Sequence, residues 1–253
     1  MSSQMSALAA AEPVIFVALD VDQPNEARAI AEDLSGLGLG FKLGPRLMYR
    51  EGASIVRDIA RHGSVFIDCK HLDIPSTMES AVRTAFDAGA SYATIHALAG
   101  PQALAQMAKL EAELRQERAF RILNVTILTS FAPETLPFGL RPDAAKASGD
   151  RIGHLVDGLA QDAYATGLKS FVCSPHEAAL LRGRFPDAFL VTPGIRPAGS
   201  DVGDQVRVQT PARAAQAGAS ALVVGRPILA ASHRRDAAQA IQAEFEQAKS
   251  KAL

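Results

Sequence analysis

Asp68, Lys70 and Asp73 fall within six positions in the stretch VFIDCKHLDIPST, Val65 to Thr77, at the end of an apolar run. Side chains along a strand alternate in direction, so residues two apart share a face. Asp68 and Lys70 therefore point the same way. Asp20 closes an earlier apolar run, VIFVALD, and Lys42 sits near the end of another, LGFKLG. If those runs are neighbouring parallel strands, the four charges share one side of a sheet end. Two carboxylates alternating with two ammonium groups keep each other ionised. Buried ion networks add little net stability, so four such residues at strand ends read as a site for Lys/Asp chemistry.

The elements that must carry these residues recur along the chain. Short apolar runs begin near Val14, Leu39, Ser64, Ser91, Ala119, Leu168, Asp187 and Ser220, and helix-like segments follow them. Near-continuous apolar runs are expected of parallel strands covered on both faces. Proline or Ser/Thr opens many of the helical segments and Gly closes several. Eight such units in 253 residues predict an α/β protein, a single-domain (β/α)8 TIM barrel, with a doubly wound open sheet as the alternative. Residues 1–12 read as a flexible tail and 13–253 as the barrel. The run GLGLGF precedes a strand and reads as a helix-to-strand turn, because the glycines of a dinucleotide fingerprint follow one.

In a barrel the charged cluster lies at the mouth. Ile74-Pro75 ends its strand, and Ser76 or Thr77 is placed to cap the next helix. A second constellation comes late: PGIR (Pro193–Arg196), GDQ (Gly203–Gln205) and GRPI (Gly225–Ile228). Loops after the last two barrel strands commonly hold phosphate. Gly194 and Gly225 let backbone N–H groups approach an anion, Arg196 and Arg226 add forked donors, and GRP opens the last helical segment. The long loops from Thr129 to Asp150 and from Ile195 to Gln209 read as lids or ligand loops.

The bulk numbers restrict the partners. There are 26 Lys plus Arg against 27 Asp plus Glu, a formal net charge of −1, and 48% hydrophobic residues. Neither sign dominates, so a general nucleic-acid or membrane-surface role is not expected. No run of about 18 apolar residues suggests a spanning helix, and the first residues make a poor signal peptide. Cys69 and Cys173 stand apart with no metal spacing and read as buried thiols in a reducing, cytoplasmic compartment.

With these residues in place, the chain resembles the orotidine 5′-phosphate decarboxylase family. DCKHLDIPST matches the pattern D-x-K-x-x-D-I-P-x-T, and FKLG before it and VTILTS, TPGIR, GDQ and VVGRPI after it match in the family's order. The resemblance implies a carboxy-lyase of pyrimidine biosynthesis that makes UMP without metal or organic cofactor. It implies that Asp20 and Lys42 bind the ribose, that Lys70 protonates C6 of the pyrimidine, and that Asp68 sits beside the substrate carboxylate. Thr129, or less favourably Ser130, contacts the pyrimidine. Pro193, Arg196, Gln205, Gly225 and Arg226 form the rest of the substrate site, mostly around the phosphate. Asp73 and Thr77 enter the neighbouring site of a homodimer. A metal-dependent sugar-phosphate decarboxylase or aldolase on the same barrel, and a non-catalytic nucleotide-binding protein, are the competing readings.

Overall fold

The computed structural model describes residues 12–140, 150–197 and 209–252. Eight parallel strands close into a barrel in sequence order, and helices alternate with them. In chain order the first elements are β1 (Ile15–Ala18), α1 (Pro24–Asp33), β2 (Gly40–Leu43), α2 (Pro45–Glu51), α3 (Ala53–Ile59) and β3 (Ser64–His71). Next come α4 (Pro75–Asp87), β4 (Tyr92–His96), α5 (Gly100–Leu114), β5 (Arg121–Val125), α6 (Arg151–Thr166) and β6 (Ser170–Val172). The chain ends with α7 (Pro175–Arg184), β7 (Phe189–Thr192), α8 (Pro211–Gln216), β8 (Ala221–Val224), α9 (Arg226–Leu229) and α10 (Arg234–Ala252). The single closed barrel rules out the open doubly wound sheet.

Strand alternation builds two cores. Ile15, Val17, Phe41, Leu43, Val65 and Ile67 face the helices and join the larger core. Phe16, Phe66, Tyr92, Leu123, Phe189 and Val223 turn inward and fill the barrel. Phe16 meets Phe66 and Tyr92 edge-on, with ring centroids 5.3 and 4.9 Å apart. Gly40 makes room for this plug, since a Cβ there would lie 2.5 Å from the Phe16 ring. Each such buried aromatic contributes about 1.5–3 kcal/mol. The plug also sets the floor of the site. Two residues past Phe16, Phe66 and Tyr92, the inward face presents Ala18, Asp68 and Thr94.

Several sequence expectations are corrected. The helix-like segment after β2, PRLMYREGASIVRDIARHG, is two helices broken at Gly52. Neither Ser76 nor Thr77 caps α4. Its N-cap is Ile74, and Pro75 starts the helix at N1, which its fixed φ favours. Genuine side-chain caps stand elsewhere: Asp150 on α6, Ser174 on α7 and Thr210 on α8. The last helical segment is also two pieces, the four-residue α9 and the separate α10. Cys173 is buried, whereas Cys69 is only half-buried, because β3 loses its regular pleat at that point. Glu12, assigned to the tail, is paired with Arg121.

Candidate active site

The strand ends open into a pocket of about 780 Å³. Its charged wall is a continuous line of contacts. Lys42 Nζ lies 3.2 Å from Asp20 Oδ1 and 3.5 Å from Asp68 Oδ2, and Lys70 Nζ lies 2.8 Å from Asp68 Oδ1. The register explains why. β1 pairs with β2 and β2 with β3, with Ala18 opposite Lys42 and Lys42 opposite Phe66. Lys42 stands in that row, Asp20 and Asp68 lie two residues beyond it and Lys70 four, so the charges converge at the mouth.

Burial and charge pull against each other here, and charge prevails. Burial pushes the Lys42 ammonium toward the neutral form, but Asp68 and then Asp20 outweigh it, so its pKa is raised. Burial pushes the Asp68 carboxyl upward, but Lys42 and Lys70 outweigh it, so its pKa is lowered. Both residues are held charged at neutral pH.

The sign of the pH effect on stability follows. A lowered folded-state pKa means that Asp68 contributes stability above its unfolded value, and loses it as pH falls through the folded one. With unfolded Asp near 3.9, the stability difference between wild type and Asp68→Asn should be level from about pH 5 to 7 and fall below about pH 4. Urea unfolding across that range checks it. A decline already under way at pH 6 would mean that Asp68 is not held low.

The late-chain residues continue the lining from the ends of β7 and β8, and β8 pairs with β1, so Gly225 sits beside Asp20. Pro193, Gly194, Arg196, Gly225 and Arg226 line the same pocket, with Thr129 and Ser130 between the two ends. Gly194 has φ 79°, a left-handed conformation that bares its backbone to the pocket. Arg196 is buried, and its Nη1 donates to the Ile195 carbonyl at 2.8 Å. Ile195 bridges to Gln209, so the two ends of that long loop meet beside the pocket. Because α9 has only four residues, a macrodipole contributes less here than the continuous last helix expected from sequence. Backbone N–H groups and guanidinium groups remain to hold an anion.

Gln205 lies outside the described residues. Asp73 and Thr77 are exposed and do not line this pocket. The Asp73 carboxylate instead accepts the Ile74 N–H at 2.7 Å. Other pocket residues escaped the sequence reading. Arg46 lines the mouth and donates to the Asp20 carbonyl at 3.3 Å; an Arg just after a strand and Gly-Pro was the available signal. Val125 and Ile127 supply an apolar wall through alternation in NVTILTS. Among the described residues no group of three or more His, Cys, Asp or Glu side chains could hold a metal ion.

A family model for the orotidine 5′-phosphate decarboxylase / HUMPS family matches residues 13–241. The chain belongs to that family. A curated orotidine 5′-phosphate decarboxylase of Rhodopseudomonas palustris (strain BisB5) is 45% identical over 237 residues, covering 92% of this chain and 95% of the relative. One of Synechococcus sp. (strain WH7803) is 44% identical over 231 residues, covering 88% and 92%. The crystal structure of orotidine 5′-phosphate decarboxylase from Lactobacillus acidophilus superimposes with a TM-score of 0.77 at 31% identity, covering 92% of this chain and 99% of that one. In this chain the Asp20–Lys42–Asp68–Lys70 line occupies the mouth of the barrel. No helix among the described residues is long and apolar enough to cross a membrane.

Proposed function

We propose that this protein decarboxylates orotidine 5′-phosphate to UMP and CO2 in pyrimidine biosynthesis. The observation that carries the reading is one pocket lined both by the alternating Asp20–Lys42–Asp68–Lys70 line and by Gly194, Arg196, Gly225 and Arg226. Breaking the C6–carboxylate bond leaves its electron pair at C6, in the ring plane, where no adjacent π-system can spread it. The Lys70 ammonium stabilises that charge as it develops and delivers its proton to C6, and the neutral amine is reprotonated from water. Asp68 lies beside the departing carboxylate, and the like-charge contact is relieved as neutral CO2 leaves. Asp20 and Lys42 hold the ribose, and Lys42 also keeps Asp68 charged. Thr129 faces the pyrimidine. Pro193, Arg196, Gln205, Gly225 and Arg226 surround the phosphate.

The test is loss of orotidine 5′-phosphate absorbance with purified protein, with and without EDTA. Equal, rapid loss in both supports the reading. Activity that EDTA abolishes would favour the metal-dependent sugar-phosphate chemistry instead.

A homodimer with shared sites belongs to the same reading. Leu72 and Ile74 flank Asp73 and are 55% and 64% exposed, with Leu98, just past β4, also exposed. An acid between two bare apolar side chains suits a surface covered by a second copy. Thr77 would follow Asp73 into the neighbouring site. Cytoplasmic residence suits the two free thiols, Cys69 and Cys173.

Phosphate contacts remote from C6 can speed the chemical step by stabilising the closed site. Arg226→Ala should therefore lose on the order of 10²-fold in kcat/KM, the scale of a charge-assisted contact. Phosphite dianion should activate wild type toward a phosphate-free substrate, and the variant less. If the truncated substrate reacts as well as the whole one, the phosphate wall is misassigned.

A further inference from the structure

The barrel's regular pairing breaks between β3 and β4. Along β3 and β4 the pairs run Phe66 with Tyr92 and Ile67 with Ala93, and then His71 with Ile95. From Ile67 to His71 is four steps, while from Ala93 to Ile95 is two. Asp68, Cys69 and Lys70 thus stand opposite the single residue Thr94. Extra residues on one strand leave backbone groups outside the ladder and re-aim side chains. Lys70 shows the consequence, with φ 48°, the only positive φ of a non-glycine residue among the described residues. Such a conformation is costly for a long side chain and persists only where its surroundings enforce it.

Thr94 supplies the enforcement. It is fully buried, and it follows Tyr92 on the inward face, directly above the aromatic plug. Its Oγ1 accepts the Lys70 backbone N–H at 2.8 Å. The same oxygen lies 3.2 Å from Asp68 Oδ1 and 3.4 Å from the Ile67 carbonyl. A hydroxyl has one proton to give, and the charged carboxylate is both the nearer and the stronger acceptor. Asp68 Oδ1 is also the oxygen that receives the Lys70 ammonium. One hydroxyl therefore touches both members of the reacting pair, the backbone of one and the carboxylate of the other.

We propose that Thr94 is a positioning residue: its hydroxyl fixes the left-handed turn at Lys70 and aims the Asp68 carboxylate, setting the geometry of proton delivery. This deepens the assignment of Lys70 and Asp68 and rests on it. Thr94 does not reach the substrate itself; it lines neither wall of the pocket. A buried hydroxyl that only satisfied a stray N–H would affect stability and leave the chemical step alone.

The test separates these. Thr94→Val keeps the branched shape and removes the hydroxyl; Thr94→Ser keeps the hydroxyl. The chemical step is measured as a single turnover of orotidine 5′-phosphate with enzyme in excess, and KM in the steady state. Thr94→Val should slow the step on the order of 10- to 100-fold, the cost of a small misplacement at the reacting centre. Its KM should change by less than about threefold, since uniform substrate binding is intact. Thr94→Ser should recover most of the rate. A Thr94→Val step as fast as wild type, or Ser and Val variants equally slow, would overturn the proposal. The unmodified protein gives a second reading that no folding failure can remove. The Lys70 amide should exchange with deuterium as slowly as the barrel amides, and exchange as fast as exposed backbone overturns the proposal too. Lys70→Ala run alongside distinguishes the two levels. If that variant stays active, the assignment of the pair has failed; if it is inactive while Thr94→Val is normal, only the positioning role has failed.

Discussion

Lys70→Ala should lose at least about 10⁴-fold in kcat while keeping its fold, because one ammonium serves two functions. A positioned general acid is worth about 10²–10⁴-fold. A fixed charge aimed at developing negative charge is worth about 10²–10³-fold again. The two overlap, so their product is an upper bound. A loss of 10⁴-fold corresponds to about 5.5 kcal/mol of barrier. The geometry leaves little redundancy. Lys42, the other ammonium on this wall, is 11% exposed at its side chain and held between Asp20 and Asp68. Lys70 is 38% exposed and, among the described residues, pairs with no carboxylate but Asp68. It is thus the less enclosed of the two ammonium groups, and the one with room to swing toward C6. Steady-state assay with circular dichroism checks the expectation. Activity within about tenfold of wild type, roughly 1.4 kcal/mol, would remove Lys70 from the proton-donor role.

What sequence could and could not disclose follows from the range of the forces involved. The barrel was legible because each strand is buried on both faces, which leaves a run such as VIFVALD with hardly a polar break. The Asp20, Lys42, Asp68 and Lys70 wall was legible because strand order and alternation are enough to bring strand ends together. The bulge at Asp68–Lys70 was not. It depends on a hydroxyl contributed by Thr94 from the next strand, 24 residues on, and nothing local in DCKH announces it. Cys69, predicted buried, lies in the same irregular stretch and is only half-buried. The break at Gly52 does have a local signal, a glycine whose φ of 54° stands between two short helices. The Ser76 and Thr77 cap failed for a local reason: Pro75 is a better N1 residue than either is a cap, and it pushes both hydroxyls inside the first turn.

Asp73→Asn should also be severely impaired, and the more telling result is what happens when it is mixed with Lys70→Ala. Asp73 lies three residues past Lys70, yet its side chain does not line its own pocket and spends one carboxylate oxygen on the Ile74 N–H. Its neighbours Leu72 and Ile74 are bare apolar side chains, so this corner of the barrel has the character of a surface awaiting a partner. If a second copy covers it, Asp73 completes the partner's site and Lys70 acts in its own. In a mixed dimer one site would then carry both lesions and the other neither. Random reassociation makes half the dimers mixed, each with one intact site, so activity should return toward roughly a quarter of wild type. The measurement is turnover before and after the two inactive variants are dissociated together and reassociated, with heterodimers quantified by differential tags. An Asp73 acting within its own chain predicts the opposite: each subunit of a mixed dimer keeps its own lesion, and no activity returns. Heterodimers that form and remain inactive would therefore sink the shared-site reading, while leaving Lys70 and Asp68 untouched.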